Sequence, residues 1–440
     1  MPDLPIYDVV ETLQRMLAEH QRVVLQAPPG AGKTTVVPIE LLAQPWLADR
    51  QIILLEPRRL AARNAAARMA SILGEATGET VGYQIRQERC TSQKTRILVV
   101  TEGILTRKLQ ADPELADTAL VIFDEFHERS LHADLSLALC LQSQQILRED
   151  LKILVMSATL NTGAISDLLD NAPVIQSEGR CYPVELHYAD REIKHGDRQQ
   201  FNARVFNTVK QLIERHTGST LVFLPGAGEI RRLEAQLKQY KDSQRLKNLV
   251  IAPLYGNLGK QQQDQAISPA PPGKRKIVLA TNIAETSLTI DGIDCVVDSG
   301  LERVMVYNPA SSMNSLQTQR ISSDSAEQRA GRAGRLAPGH CYRLWTEQQQ
   351  RRMVKHAEAE ILHSDLSSLV LEMANWGVQQ ADELRWLDLP PKSAIDEAGT
   401  LLQKLGALDD VKKITRHGRD MLKIGTHPRL AHMLLESIEL

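Results

Sequence analysis

Residues 22–35, RVVLQAPPGAGKTT, decide the fold. RVVLQ is a short β-branched apolar run of the kind that forms a strand buried on both faces, and a helical pattern follows Lys33. Between them, residues 27–34 match the phosphate-binding loop except that its opening glycine is Ala27. Gly30, Ala31 and Gly32 turn successive backbone N–H groups inward around phosphates, at a helix start whose dipole favours anions. Lys33 is placed to reach β- and γ-phosphates, Thr34 to ligate magnesium, and Thr35 to close the loop.

Outward from this stretch the pattern repeats. Apolar runs at 51 (QIILL), 95 (TRILVV), 119 (ALVIF) and 151 (LKILVM) alternate with helical segments, which predicts a parallel sheet wrapped by helices. A second series begins after Pro173, with runs at 220, 249, 276, 295 and 340. The fold class is therefore α/β, with two parallel-sheet domains in tandem over 1–172 and 173–357. From 358 the pattern turns helical: Leu362, Leu366, Leu369, Val370 and Met373 share one face, and Ala398, Leu401, Leu402 and Leu405 another that ends at Gly406. The stripe Leu430, Met433, Leu434 and Ile438 has little left to pack against, so a further helical domain is expected to be cut short at Leu440.

The totals set limits. A chain of 440 residues exceeds one ordinary core and fits three units. With 42% hydrophobic and 24% charged residues it has the composition of a soluble globular protein, and no apolar run is long enough to cross a membrane. The acidic N-terminus lacks the pattern of a signal peptide, so a cytoplasmic location is expected. Five scattered cysteines, nowhere spaced as CxxC, argue against both a disulfide framework and a zinc site. The net charge of −2 counts against strong passive binding of nucleic acid, yet suits a protein that must release its track.

Chemistry is expected at the strand ends. Asp124 and Glu125 follow directly on ALVIF: Asp124 is placed to hold magnesium through water, and Glu125, beside the metal, to orient and deprotonate the attacking water. Arg58 and Arg59, after the second strand, suit phosphate contacts, as do the loop groups of Thr101, Glu102 and Gly103. Thr281 and Asn282 begin a matching loop in the second domain. Two such clamps on either side of one nucleotide cleft make a stepping device.

The run IFDEFHERSL at 122–131 is similar to the second motif of the DEAH/RHA branch of superfamily 2 helicases, with Phe126 in place of the usual alanine. Residues 56–62, 101–103, 157–159, 223–226, 280–293 and 328–335 resemble the family's other motifs in the family's order. Within the family the series most resembles the bacterial branch known as helicase-related protein B. The resemblance implies two RecA-like domains, a winged-helix-like domain over 358–428 and the start of a helical ratchet-like domain over 429–440. It implies that Arg332 and Arg335 act as arginine fingers with Gln328 positioning water, that Asp291 contacts the ribose, and that His127, Ser157 and Thr159 couple hydrolysis to movement. Arg68 and Ile267 would flank the base; since Ile267 stands where an aromatic residue is usual, weak discrimination among nucleotides is expected. The segment 301–321 carries the alternation of a β-hairpin about Asn308-Pro309, which in the family separates strands.

The resemblance thus implies an ATP-dependent RNA helicase, with other nucleotides as alternative substrates and magnesium as cofactor. It would work as a monomer without membrane association, translocating 3′ to 5′ on single-stranded RNA or a tailed duplex. A DNA translocase, and an RNA clamp that does not unwind processively, are the competing readings, because phosphate contacts do not see the 2′-OH.

Overall fold

The computed structural model describes residues 4–158, 162–179, 182–194, 196–286, 290, 292–308, 313–335 and 337–437. The apolar runs of the first series become strands: β1 (Arg22–Gln26), β2 (Gln51–Glu56), β3 (Val81–Ile85), β4 (Glu88–Cys90), β5 (Ile97–Thr101), β6 (Thr118–Phe123), β7 (Lys152–Ser157) and β8 (Val174–Gln176). They lie in the order β4-β3-β5-β2-β6-β7-β1-β8, parallel except for the β3–β4 pair. Residues of β1, β2, β5, β6 and β7 are almost all buried, as expected of strands covered by helices on both faces. β8 joins this sheet, although the sequence pattern starts the second series after Pro173. Three residues are too few to carry a period, and pairing with β1 decides their place.

The second sheet collects β9 (Val184–Tyr188), β10 (Ser219–Phe223), β11 (Leu249–Leu254), β12 (Arg275–Ala280), β13 (Ile293–Asp298) and, beyond the hairpin β14 (Leu301–Asn308) and β15 (Met313–Arg320), β16 (Gly339–Arg343). The order is β11-β12-β10-β13-β16-β9, all parallel. Two parallel-sheet domains in tandem, of RecA-like type, are followed by a helical C-terminal region. The hairpin β14–β15 forms a separate two-stranded ribbon.

The C-terminal helices Ser367–Trp376, Lys392–Lys404, Arg416–Ile424 and Pro428–Glu436 share a continuous apolar core with the first domain, through Leu135, Leu139, Leu369, Leu402 and Met421. Polar contacts reinforce the seam: Trp376 Nε1 donates to Gln142 Oε1 at 2.5 Å, and Arg129 pairs with Asp388 at 2.8 Å. Leu362 departs from the expected face. It lies in a single 3₁₀ turn before the first of these helices and is exposed.

In the second domain one buried cation organises the core. Arg329, 1% exposed, donates from Nε to Glu285 Oε2 at 2.8 Å and from Nη1 to Asp298 Oδ1 at 3.0 Å, with its guanidinium over the Phe223 ring. Burial works against its charge, but Asp298 and Glu285 hold its pKa above the ordinary arginine value. Removing one member of a buried charge group leaves the others uncompensated. Arg329→Met is therefore expected to cost about 3–5 kcal/mol of stability in denaturant titrations; a loss under about 1 kcal/mol would show that Glu285 and Asp298 do not depend on it.

Candidate active site in the interdomain cleft

The C-terminal ends of β1, β2, β6 and β7 bring the first half of the site together. After β1 the loop is tied to β7 by Ala27 N–H donating to Ser157 O at 3.0 Å. Gly30 and Gly32 have φ of +88° and +97°, left-handed values that the inward turn of the loop requires and that side chains resist. The helix Lys33–Glu40 starts there, and Lys33 is buried with its Nζ 2.9 Å from Glu125 Oε1 and 3.9 Å from Asp124 Oδ1. Thr34 Oγ1 donates to Asp124 Oδ2, and the Glu125 N–H donates to Asp124 Oδ1 at 2.8 Å. Glu125 itself sits at φ +49°, a strained value for a residue with a side chain.

A third carboxylate, unforeseen from the sequence, stands with these two. Glu56 ends β2, is fully buried, and neither of its carboxylate oxygens has a hydrogen-bond partner. Burial, with Asp124 and Glu125 nearby, pushes its pKa well above the carboxylate range. Burial likewise raises Asp124, while Lys33 outweighs burial at Glu125 and holds it low. With Glu56 holding its proton, Asp124 and Glu125 against one ammonium still leave an excess of negative charge. All the donors are oxygens, and the Thr34 hydroxyl and Asp124 carboxylate converge, which is the chemistry a magnesium ion takes. An acid closing a buried strand was the available signal for Glu56; it was masked by the two arginines that follow.

His127 lies 3.5 Å from Glu125 Oε2 and accepts the Ala158 N–H at its Nδ1 (3.3 Å). Burial lowers its pKa, so the imidazole is neutral with its proton on Nε2. Ser157, the last residue of β7, is buried beside it in the chain order expected. Thr159 and Asp291 lie outside the described residues, as does the hairpin tip at Pro309.

The second domain closes the cleft. A Cβ built on Gly30 would lie 3.6 Å from Arg335 Nε, so this arginine stands against the phosphate loop. Arg332 is buried; its Nε donates to Glu285 O at 2.8 Å and its Nη2 to Thr286 O. Burial, and then Arg335, lower its pKa well below the ordinary value. Gln328 lies one turn earlier on the helix Ser323–Gly331, half-buried. Arg68 is exposed on the helix Arg59–Leu73, whereas Ile267 packs partly into the second domain's core.

The expected strand-contacting residues divide into two groups. Arg58 bridges the domains, donating to Asn282 O at 2.7 Å and pairing with Glu128 at 3.0 Å, while Glu128 also takes the Thr286 hydroxyl. Glu128 and Thr286 are thus functional candidates that the sequence reading missed. Arg59 and Gly103 are exposed, and Thr101 and Thr281 precede short helical starts at the ends of β5 and β12. Near the hairpin, a cavity of about 470 Å³ is lined by Tyr307, Asp365, Lys404 and Arg429.

Two family sequence models match most of the two sheets. Residues 10–168 match the DEAD/DEAH box helicase family, and residues 204–337 the helicase conserved C-terminal domain. The chain belongs to the DEAH/RHA family of helicases. It is 48% identical over 437 residues to the ATP-dependent RNA helicase HrpB of Escherichia coli (strain K12), across 99% of this chain and 53% of that protein. It is 36% identical over 437 residues to the ATP-dependent RNA helicase HrpA of Borreliella burgdorferi, across 99% and 52%. The crystal structure of Escherichia coli DEAH/RHA helicase HrpB superposes with a TM-score of 0.91 at 48% identity, covering 98% of this chain and 54% of that one. A second, of E. coli DExH-box NTPase HrpB, gives 0.86, covering 99% and 52%. The chain spans about half the length of these relatives. No described helix is long and apolar enough to cross a membrane.

Glu102 offers a test of the electrostatics. Its carboxylate takes the Ser130 hydroxyl at 2.5 Å, and burial pushes its pKa up to about 8 from an ordinary 4.5. Above the ordinary value the unfolded chain has released this proton while the folded chain keeps it, so this group's contribution to stability falls as pH rises toward 8 and then levels. Glu102→Gln removes that slope. Thermal unfolding followed from about pH 5 to pH 9 is expected to show the variant gaining on the wild type by on the order of 2–4 °C; parallel curves would mean that Glu102 ionises normally in the fold.

Proposed function

We propose that this chain is the motor part of an ATP-dependent RNA helicase, hydrolysing ATP in the cleft between its two sheets. The observation that carries the reading is the position of Arg335 and Arg332, from the second domain, against a phosphate loop and paired acids of the first. Lys33 binds the β- and γ-phosphates in competition with Glu125, so nucleotide entry loosens the 2.9 Å ion pair. Glu125 then becomes a stronger base. It takes a proton from the attacking water as the new bond to the γ-phosphorus forms and the bridging oxygen leaves with ADP. Gln328 orients that water, and Arg332 and Arg335 neutralise the charge that develops on the transferred group. Magnesium held by Thr34 and, through water, by Asp124, with Glu125 alongside, supplies further charge neutralisation when bound.

The geometry also supports movement. His127 stands 3.5 Å from Glu125 and accepts the Ala158 N–H, and with Ser157 and Thr159 it carries the change in the acids to the strand-gripping loops. The Arg58–Glu128–Thr286 bridge would be remade as the cleft opens and closes. Thr101, Glu102 and Gly103 on one domain and Thr281 and Asn282 on the other provide the two clamps. A protonated Glu102 can approach a phosphate without repulsion. The helices of 358–437, with the antiparallel bridge between Leu408 and Ile414, serve as a winged-helix-like wall of the strand path and the start of a ratchet-like domain. Direction 3′ to 5′, duplex unwinding, a cytoplasmic location and RNA rather than DNA as track follow from the family. One chain supplies both halves of the cleft, so a monomer suffices.

Arg335→Ala is expected to bind nucleotide within a few-fold of the wild type while losing on the order of 10³-fold in turnover, measured as steady-state phosphate release. Hydrolysis close to wild type would remove the split-site mechanism. Single-stranded RNA is expected to stimulate the wild type and not Glu125→Gln; equal stimulation by DNA favours the translocase reading, and stimulation without displacement of a 3′-tailed duplex favours the clamp. With Ile267 at the base, kcat/KM for ATP, GTP, CTP and UTP is expected to agree within about tenfold; a strict preference for ATP would place base recognition elsewhere.

A further inference from the structure

At the edge of the second sheet, β9 pairs with β16 in the register Glu185 to His340 and His187 to Tyr342. Parallel pairing and the two-residue period put all four side chains on one face. His187 Nε2 lies 3.3 Å from His340 Nδ1, His340 Nδ1 lies 3.3 Å from Glu185 Oε2, and His187 Nε2 lies 3.7 Å from Glu185 Oε1. With metal bonds of about 2.0–2.1 Å, the edge of a tetrahedron around zinc is about 3.3–3.4 Å. The two imidazole nitrogens, and Glu185 Oε2 with His340 Nδ1, therefore already stand at the edge length of such a tetrahedron, and the other carboxylate oxygen lies 3.7 Å from His187 Nε2, so a small rotation of the exposed Glu185 side chain completes three corners.

The rings are held in place from outside. His187 stacks on Tyr342 at 4.4 Å and 15°, and the His216 ring lies 5.0 Å from that of His340 while bonding the Tyr342 hydroxyl at 3.1 Å. Both ligating side chains are about one-third exposed and Glu185 more so, which leaves the fourth corner open to water. A second group, His417, His432 and Glu436, makes a useful contrast. Its two nitrogens are 2.8 Å apart, a hydrogen-bond distance too short for two ligands on one tetrahedral ion.

We propose that Glu185, His187 and His340 bind one divalent transition-metal ion of the zinc class. Two imidazoles and one carboxylate favour such ions over magnesium, which prefers an all-oxygen set. The position gives the site a consequence. β9 is the strand on which the chain enters the second domain, and β16 follows directly on the segment bearing Arg332 and Arg335. Backbone bonds already join the two, from Tyr182 N–H to Gly334 O at 2.9 Å and from Gly339 N–H to Pro183 O at 3.1 Å. A metal across Glu185, His187 and His340 pins the entering strand to the arginine-bearing segment and stiffens the second domain.

The test is calorimetric titration of the chelator-treated chain with Zn²⁺ in excess magnesium, together with thermal unfolding with and without Zn²⁺. One equivalent is expected to bind and raise the unfolding temperature. His187→Ala and His340→Ala should each weaken binding by at least about tenfold, with Glu185→Gln intermediate, and His417→Ala should leave it unchanged. Unfolding curves of the variants without metal report whether they fold. Absence of one-equivalent binding in the wild type overturns the proposal, as does binding retained by a folded His187→Ala, His340→Ala double variant or lost only in His417→Ala.

Discussion

The buried ammonium of Lys33 is the interaction on which the first domain's working edge depends. It faces Glu125 and Asp124 directly, with Glu56 close enough to add to the field. A buried charge is tolerated only when compensated, and here compensation arrives from different strands of the sheet. The loop after β1 presents Lys33, β2 ends in Glu56, and β6 leads into Asp124 and Glu125. The register of β2 against β6 thus fixes how the acids meet the cation. The same register leaves the cluster with more carboxylate than ammonium. Such a site is arranged to receive further cationic charge, and the buried, unpartnered Glu56 is the acid whose ionisation that charge would favour.

A second constraint works across the cleft. Arg329 and Arg332 are one helical turn apart and face different surroundings. Arg329 is fixed into the domain's core by Glu285 and Asp298, while Arg332 rests on the carbonyls of Glu285 and Thr286. Glu285 therefore holds both, one through its carboxylate and the other through its backbone. Thr286, the next residue, bonds Glu128 of the first domain. Arg332, proposed to meet the phosphate, thus rests on the same short segment that touches the opposite domain. Any change in the pairing of Glu125, which lies 3.5 Å from His127 and three residues before Glu128, has a short path to that segment.

Much of this was legible in the sequence because strands buried on both faces read as unbroken apolar runs. β1, β2, β5, β6, β7 and the strands of the second sheet from β10 onward follow from that signal, and the hairpin β14–β15 follows from alternation. β3, β4, β8 and β9 did not, because they are short, lie at or near sheet edges and carry polar residues. The phosphate loop, Asp124 and Glu125 were legible as chemistry tied to local spacing. Arg58 shows the limit: its sequence position suits a phosphate, but its guanidinium meets Asn282 and Glu128, partners 224 and 70 residues away. Glu128, Thr286 and Glu185 were missed for the same reason, since each acquires meaning only from a neighbour supplied by the tertiary fold.

The C-terminal helices sharpen how movement would be divided. Because they share an extended apolar core with the first domain, burial resists their separation from it more than the contacts across the cleft, polar ones joined by Leu60 packed into the second domain's core, resist separation of the two sheets. The hairpin belongs to the second domain by its connections, and it meets the helices through the exposed Tyr307 hydroxyl, 3.0 Å from Glu397. Exposed polar contacts of this kind contribute little and are easily exchanged for water. Under the proposed cycle, then, the first domain and C-terminal helices move as one block, and the hairpin slides against them with the second domain. The cavity between Tyr307 and Arg429 lies on that boundary, so its shape is the one most directly set by the state of the nucleotide cleft.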